Sequence, residues 1–331
     1  MKSPIFIFSL PRSGSTLLQR VLMGHEKIKS IAEPWLLLPF CYAYKKEGTL
    51  AEYGHESSYN AFEDFVNNLP NKENDYYEAL GNFAQTLYDL QCKDGEIFFL
   101  DKTPRYYQII PQIAKSFPDA KFIFLFRNPV HVVSSIMQTW SNGGFRHMHP
   151  YYVDIKNGPE LLSNGYKSIR EKSYALKYED FVQSPEKYTK EICEYLKIEF
   201  NKHMLENFTS QNSEFNGKMG DPTGVKDYQL VDTKPLEKWR DTFNTNYRRN
   251  YIMKYVESLN EYDLKVQGYK KEGILKEVSE NTVSKECFIQ DRVGALISYL
   301  ARILKPNIFL RKKKKYWAAK NICHNYCCQL L

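Results

Sequence analysis

The sequence contains no long apolar run. No stretch reaches the roughly 18 to 20 consecutive apolar residues of a transmembrane helix. Residues 4–10 are apolar, but this run is too short for the apolar region of a signal peptide. We therefore expect a cytoplasmic protein without a membrane-spanning helix or a leader, whose chain begins within its first strand.

The cysteines show no pairing pattern. The chain has 7 cysteines, which are scattered, and none of them forms a C-x-x-C pair. This argues against a disulfide framework and against a structural zinc site. We expect reduced thiols in a reducing compartment.

The main body of the chain lacks net charge. Of 46 basic and 39 acidic residues, eight basic and no acidic ones lie from Leu300 onward, which leaves 38 against 39 elsewhere. A neutral body excludes a domain-wide nucleic-acid surface. With 43% hydrophobic residues the chain has enough apolar surface for a sizeable core, which excludes a disordered protein.

Four short apolar segments, each followed by a polar loop, predict the fold class. They are residues 5–10, 96–100, 121–126 and 174–178, and helical patterns follow at residues 16–23, 130–140 and 185–196. This alternation predicts an α/β fold with a mostly parallel sheet flanked by helices on both faces. Ligands of such folds bind at the carboxyl ends of the strands.

Two regions interrupt this alternation. Residues of about 36–95 have near-helical apolar spacing, and we expect a helical insertion that shapes an acceptor pocket. We expect the main domain to comprise residues 1–269. A basic C-terminal extension follows at residues 270–331, with a predicted amphipathic helix at 293–304. The basic run at 311–315 fits contact with an anionic membrane as well as it fits a solvated, frayed end.

The segment PRSGST at residues 11–16 connects the first predicted strand to the helix that follows it. One glycine and three hydroxyl side chains at a helix amino end favour a bound anion such as phosphate. Alternatively, Ser13 or Ser15 simply caps the helix, and the segment alone favours neither interpretation. The loop lacks the lysine of a nucleoside-triphosphate loop, which weakens an ATP or GTP reading.

A second anion site is predicted after the third of these strands. Arg127 leaves the strand end, and Ser135 follows eight residues later inside the next helix. An arginine presents a planar fork of donors that suits a phosphate. For either residue alone, an ordinary surface role is the more common interpretation.

Together, the order and spacing of these two segments resemble those of sulfotransferases that use 3′-phosphoadenylyl sulfate, PAPS. The resemblance covers residue 5 to about residue 269 and is nearest the branch that includes tyrosylprotein and bacterial carbohydrate sulfotransferases. It implies a P-loop-like sheet, PAPS as co-substrate, no metal, and a hydroxyl acceptor on a glycan, glycolipid or peptide tyrosine. Of these acceptors we expect a glycan or glycolipid.

The resemblance also implies roles for individual residues. Glu33 matches the general base, Lys102 the lysine that stabilises the leaving group, and Arg12 a contact of the sulfuryl oxygens; without the resemblance, Glu33 and Lys102 are ordinary surface residues. The expected donor-binding residues are Arg12, Ser13, Gly14, Ser15 and Thr16 at the 5′ phosphosulfate, Arg127, Ser135 and Tyr178 near the 3′ phosphate, and Lys238, Trp239 and Arg240 over the nucleotide. Residues 220–224 have the composition of a mobile lid.

Two departures from the branch weaken a peptide-tyrosine acceptor and one late donor contact. Thr139 stands where that branch often has a basic residue, and Glu237 stands where it has a serine. Two rival hypotheses remain open. One is a nucleoside or nucleotide kinase, which needs ATP and magnesium, and the other is a non-catalytic protein that binds a membrane surface.

Overall fold

The computed structural model describes residues 3–92, 95–206, 231–284 and 289–305. Within these residues, five strands form one parallel sheet in the order β2-β3-β1-β4-β5. The strands are β1 Ile5–Ser9, β2 Ile28–Ser30, β3 Phe98–Asp101, β4 Lys121–Phe126 and β5 Ser173–Lys177. The predicted α/β class with a parallel sheet is confirmed. The three-residue β2 was missed because so short a strand gives no periodic signal.

Alternate side chains of the central strands enter two different cores. Phe6 and Phe8 of β1 lie in an aromatic-rich core on one face of the sheet, whereas Ile5 and Ile7 lie in an aliphatic core on the other. Strand β4 repeats the division, with its phenylalanines on the first face. Since both faces are covered, the strands read as continuous apolar runs.

Helices pack on both faces of the sheet. Up to β5 they are α1 Ser15–Met23, α2 Leu37–Ala43, α3 His55–Asn67, α4 Glu73–Gln91, α5 Ile110–Ser116, α6 Pro129–Trp140, α7 Tyr152–Lys156 and α8 Gly158–Ile169. Short 3₁₀ turns at Pro104–Gln108, His149–Tyr151 and Arg170–Lys172 link some of them. After β5 come α9 Tyr178–Gln183, α10 Pro185–Leu196 and α11 His203–Glu206.

The predicted helical insertion corresponds to α2, α3 and α4. It packs on the sheet through α4, where the Tyr88 ring stacks on Phe99 of β3 with ring centroids 4.5 Å apart. Leu80 and Ala84 of the same helix are buried in the aromatic-rich core. The insertion is thus part of the main packing unit.

The last described part of the chain is helical. It comprises a 3₁₀ turn at Lys234–Leu236, then α12 Lys238–Thr242, α13 Asn246–Ser258, α14 Glu261–Val266, α15 Lys271–Ser279 and α16 Ile289–Leu304. Ile274 and Val278 of α15 lie in the aromatic-rich core. The domain boundary at residue 269 stays a prediction.

Two expectations lie outside the described residues. These are the lid at residues 220–224 and the basic run at residues 311–315. Among the helices that are described, none combines the length and apolar character needed to cross a bilayer.

Candidate active site

The candidate residues cluster because each of the five parallel strands ends at the same edge of the sheet. The loop that holds Arg12 follows β1, Glu33 follows β2, and Lys102 follows β3. Arg127 follows β4, and Tyr178 follows β5. Carboxyl ends of parallel strands are where open α/β sheets bind ligands.

The loop between β1 and α1 has a backbone that requires glycine at one position. Gly14 has φ +88°, and a Cβ atom added there would lie 2.3 Å from the ring of Tyr178. A side chain at this position would therefore be strained and would collide with the ring. Helix α1 begins directly after Gly14, at Ser15, so its first backbone N–H groups lie at the end of this loop.

Glu33, Lys102 and Thr16 form a continuous polar line. The Lys102 ammonium lies 2.8 Å from Glu33 Oε1 and donates a hydrogen bond of 3.2 Å to Thr16 Oγ1. The register explains why the two side chains meet, since Ser30 of β2 pairs with Leu100 of β3 and the two candidate residues follow within three positions. The side chain of Lys102 is 1% exposed and that of Glu33 is 11% exposed, so this ion pair is largely shielded from water.

The other carboxylate oxygen of Glu33 also has a partner. The Trp35 indole nitrogen donates to Glu33 Oε2 over 3.1 Å. The carboxylate is thereby held between an ammonium and an indole, which fixes its direction.

Arg127 lies beside the Gly14 loop. Its Nη1 donates to the carbonyl oxygen of Arg12 over 2.7 Å, and its guanidinium carbon lies 4.3 Å from the centre of the Tyr178 ring. Arg127 is buried, and its Nε has no hydrogen-bond partner among the residues that the structure describes. A buried guanidinium with an unused donor is suited to receive an anion.

The side chain of Arg12 joins the two predicted anion sites. Its Nε donates to Ser135 Oγ over 3.2 Å, and its Nη2 donates to Thr139 Oγ1 over 3.3 Å. The guanidinium carbon also lies 5.6 Å from the centre of the Trp140 ring. Residues expected at the two ends of one donor are therefore in direct contact.

Asp101 anchors the strand end that carries Lys102. Its carboxylate accepts hydrogen bonds from Tyr88 over 2.6 Å, Tyr106 over 2.9 Å and Thr103 over 3.2 Å. Burial raises the pKa of Asp101 to about 6, although these hydrogen bonds lower it. Thr103 also accepts from the Trp35 backbone N–H, so the network links β3 to the segment after β2.

A second buried carboxylate supports the Arg127 side of the site. Glu179 accepts hydrogen bonds from the Asn128 backbone N–H over 2.9 Å and from the Tyr269 hydroxyl over 2.7 Å, and it lies 3.3 Å from His131. Burial raises the pKa of Glu179, but the nearby His131 and the two hydrogen bonds outweigh it and hold the pKa down at about 2. This carboxylate is held ionised and fixes the start of α6.

The late segment of Lys238, Trp239 and Arg240 is only partly joined to the cluster. Trp239 is buried and its ring stacks on His131 of α6, with centroids 6.0 Å apart. Lys238 is exposed, and Arg240 forms ion pairs with Glu237 and Glu277. The Arg127 guanidinium donates to the Pro235 carbonyl oxygen, over 3.4 Å, in the 3₁₀ turn that precedes these three residues.

The structure adds contacts in the site that the sequence did not predict. Thr139 and Trp140 contact Arg12, Trp35 orients Glu33, and Asp101 anchors β3. Thr139 lies four residues after Ser135, on the same helix face, and this spacing was the one available signal. In the part of the chain that is described, no group of three or more His, Cys, Asp or Glu side chains is placed to hold a metal ion.

Comparison with known proteins gives similarities of three kinds. A model of the sulfotransferase family matches residues 4–202. The nodulation protein NoeE of Sinorhizobium fredii is 29% identical over 140 residues, which are 41% of this chain but only 31% of that protein. A putative protein-tyrosine sulfotransferase of Caenorhabditis briggsae is 22% identical over 74% of this chain and 83% of its own length.

A solved structure shares the fold. The sulfotransferase domain from the curacin biosynthetic pathway is 24% identical, with a TM-score of 0.50 over 72% of this chain and 91% of that domain. The family model covers more than half of the chain, including the β1 loop and the segment that holds Arg127 and Ser135. The chain therefore belongs to the sulfotransferase family.

Proposed function

We propose that this protein transfers a sulfuryl group from PAPS to a hydroxyl acceptor, with Glu33 as the base and Lys102 stabilising the leaving group. The observation that carries the proposal is the line from Glu33 through Lys102 to Thr16, with distances of 2.8 and 3.2 Å. It joins a carboxylate, a cation and the anion-binding loop, as this reaction requires. Kinase and non-catalytic roles are not favoured, because the chain belongs to the sulfotransferase family.

The residues around the β1 loop fit the donor. Gly14 allows the Tyr178 ring to pack directly against the loop backbone, and the unused Nε of buried Arg127 offers a donor to a phosphate. Tyr178 packs against both. In the proposed complex Arg127 and Ser135 hold the 3′ phosphate, while Ser13, Ser15 and Thr16 hold the 5′ end.

The chemical step follows from the charges. Glu33 takes the proton from the acceptor hydroxyl as its oxygen bonds to sulfur, and the bond between sulfur and the bridging oxygen of the donor breaks. Negative charge then grows on the 5′ phosphate, where the Lys102 ammonium neutralises it. Arg12 stabilises the charge on the sulfuryl oxygens, so side-chain cations suffice and no metal is invoked.

Aromatic rings beside the catalytic groups support a sugar acceptor. Trp35 contacts Glu33, and Trp140 lies against Arg12 with its ring 4.8 Å from that of Tyr151. The electron-rich face of an aromatic ring attracts the weakly positive C–H groups on one side of a sugar ring. We therefore propose a hydroxyl of a glycan or glycolipid as the acceptor.

One experiment tests donor, base and acceptor class together. Wild type, Glu33→Gln and the control Glu26→Gln are titrated with adenosine 3′,5′-bisphosphate and with ATP and magnesium. The same three proteins are incubated with radiolabelled PAPS and the glycan, lipid and protein fractions of a cell extract. Glu26 is an exposed carboxylate outside the cluster.

We expect all three proteins to bind the bisphosphate. Glu33→Gln should transfer sulfate roughly 10²- to 10⁴-fold more slowly than wild type, because it cannot accept the proton. If wild type binds ATP with magnesium but not the bisphosphate, PAPS is not the donor. An unchanged rate in Glu33→Gln would overturn the base, and label in protein alone would overturn the acceptor class.

A further inference from the structure

Helix α16 turns its apolar side away from the protein. Val293, Leu296, Ile297, Leu300, Ile303 and Leu304 are between 39% and 69% exposed. Their spacing places them on one stripe of the helix, about 120° wide at 100° per residue. The residues of this helix that are buried are instead Asp291, Gly294 and Ser298. This is the reverse of an ordinary surface helix.

Polar contacts hold α16 in this orientation. Arg248 of α13 makes two hydrogen bonds with the Asp291 carboxylate, of 2.6 and 2.9 Å, and also donates to the Gly143 carbonyl oxygen. A Cβ atom added at Gly294 would lie 3.1 Å from the Arg146 backbone nitrogen, so the helix packs closely there. The outward apolar stripe thus results from specific docking of the opposite face.

The exposed apolar surface continues beyond the helix. The guanidinium carbon of Arg302 lies 3.9 Å from the centre of the Tyr152 ring. Tyr152 and Val153 of α7 are themselves exposed, at 36% and 51%. An apolar surface of this kind marks an interaction site.

The charges of α16 and of the sequence that follows it favour one kind of partner for the stripe. Asp291 is the sole acidic residue of α16, and it is buried and paired with Arg248. No acidic residue occurs from Leu300 to the end of the chain, whereas residues 306–331 contain six lysines and arginines. An apolar helix face next to basic residues is the combination that binds an anionic lipid surface.

We propose that the exposed stripe of α16, together with Tyr152 and Val153, docks on an anionic membrane surface. The surface lies close to the candidate active site, since Tyr152 follows Tyr151, whose ring centre lies 4.8 Å from that of Trp140 beside Arg12. If the proposed transfer reaction holds, an acceptor carried by a lipid would arrive next to the catalytic groups. The docking itself does not depend on that reaction.

Sedimentation with lipid vesicles tests the proposal on the full chain. The probes are phosphatidylcholine vesicles with and without phosphatidylserine. The test variant is Val293→Gln, Leu296→Gln and Leu300→Gln combined. The control variant combines Leu50→Gln, Phe65→Gln and Leu90→Gln, which replaces apolar residues outside α16 that are at least as exposed.

We expect wild type and control to bind the vesicles that contain phosphatidylserine, more weakly at high salt. The test variant should bind at least about tenfold more weakly, because it loses three apolar side chains from the stripe. Circular dichroism and urea unfolding check that it folds. Vesicle binding needs neither donor nor acceptor, so its outcome is independent of the proposed reaction.

Three outcomes would overturn the docking proposal. In the first, wild type binds neither kind of vesicle. In the second, the test variant binds as tightly as wild type, so that the basic end alone accounts for binding. In the third, wild type is a dimer that the test variant converts to a monomer, which would make the stripe an interface between two copies.

Discussion

At the residue scale, the Glu33–Lys102 ion pair dominates the site. Its 2.8 Å contact is shielded from water, since the side chains are 11% and 1% exposed. Removing one member of a shielded pair leaves the other charge unpaired, whereas removing both does not. Measurements of stability on single and double variants can therefore show whether the two charges are coupled, independently of activity.

We predict that Lys102→Met lowers the free energy of unfolding by about 3 kcal/mol, and that the double variant Lys102→Met and Glu33→Gln recovers most of this loss. Urea unfolding of wild type, both single variants and the double variant measures the effect. Equal losses in Lys102→Met and in the double variant would mean that the two charges are not coupled.

Asp101 provides a pH-dependent prediction. Burial raises its pKa to about 6 in the folded protein, above the 3.8 of an exposed aspartate. A group with a raised folded pKa stabilises the fold at low pH, and this contribution is lost as the pH rises through the folded pKa. The unfolding free energy of wild type, measured relative to that of Asp101→Asn, should therefore fall as the pH rises from about 4 to about 6.

A shift of roughly two pKa units corresponds to about 3 kcal/mol. Urea unfolding at several pH values from 4 to 7 measures it, and Asp89→Asn serves as a control, because that carboxylate lies on the exposed side of α4. A difference between wild type and Asp101→Asn that stays constant over this range would show that Asp101 does not titrate there.

At the scale of elements, strand register brings the candidate site residues together. Ser9 of β1 pairs with Leu125 of β4, and the residues that follow, Arg12 and Arg127, meet at 2.7 Å. Phe126 of β4 pairs with Lys177 of β5, and their successors Arg127 and Tyr178 are in contact. The loop after β1 is thus held by its neighbours on the sheet.

We predict that Gly14→Ala weakens binding of adenosine 3′,5′-bisphosphate by tenfold or more. The new methyl group would collide with the Tyr178 ring at a backbone conformation that favours glycine. Gly144→Ala is the matched control, because a Cβ atom added there meets nothing within 4 Å. Calorimetric titration measures both, and equal affinities would contradict the requirement for glycine at position 14.

At the scale of the whole molecule, the question is where the main domain ends. The sequence places the boundary at residue 269, but Ile274 and Val278 of α15 pack in the aromatic-rich core. Helix α15 also lies against α13. These contacts lead us to expect that residues 270–284 fold together with the sheet.

Ile274→Ala should lower the global free energy of unfolding by about 3 kcal/mol, since it leaves a cavity in a shared core. Lys276→Ala, on the exposed side of the same helix, should change it by less than about 0.5 kcal/mol. Urea unfolding followed by far-ultraviolet circular dichroism measures both. If Ile274→Ala unfolds with the same free energy as wild type, the main domain ends at residue 269.

The sequence alone was enough to predict the fold class and the main candidate segments of the site. The pattern KFIFLF at residues 121–126 already implies a buried parallel strand, and the residues PRSGST imply an anion-binding loop, because both depend on local geometry and side-chain chemistry. The strands β1, β3, β4 and β5 were predicted nearly in full, and the fold class followed from their alternation with helices.

Only the tertiary structure decided which of these residues meet. Lys102 and Glu33 are 69 positions apart, and Arg12 and Ser135 are 123 positions apart, so their contacts depend on strand order and on the unforeseen β2. The same holds for α16. Its sequence predicts an amphipathic helix, but which side faces the protein was decided by Arg248, through a buried ion pair with Asp291. Periodicity reveals that a helix has two different faces, whereas burial depends on the partner that packs against it.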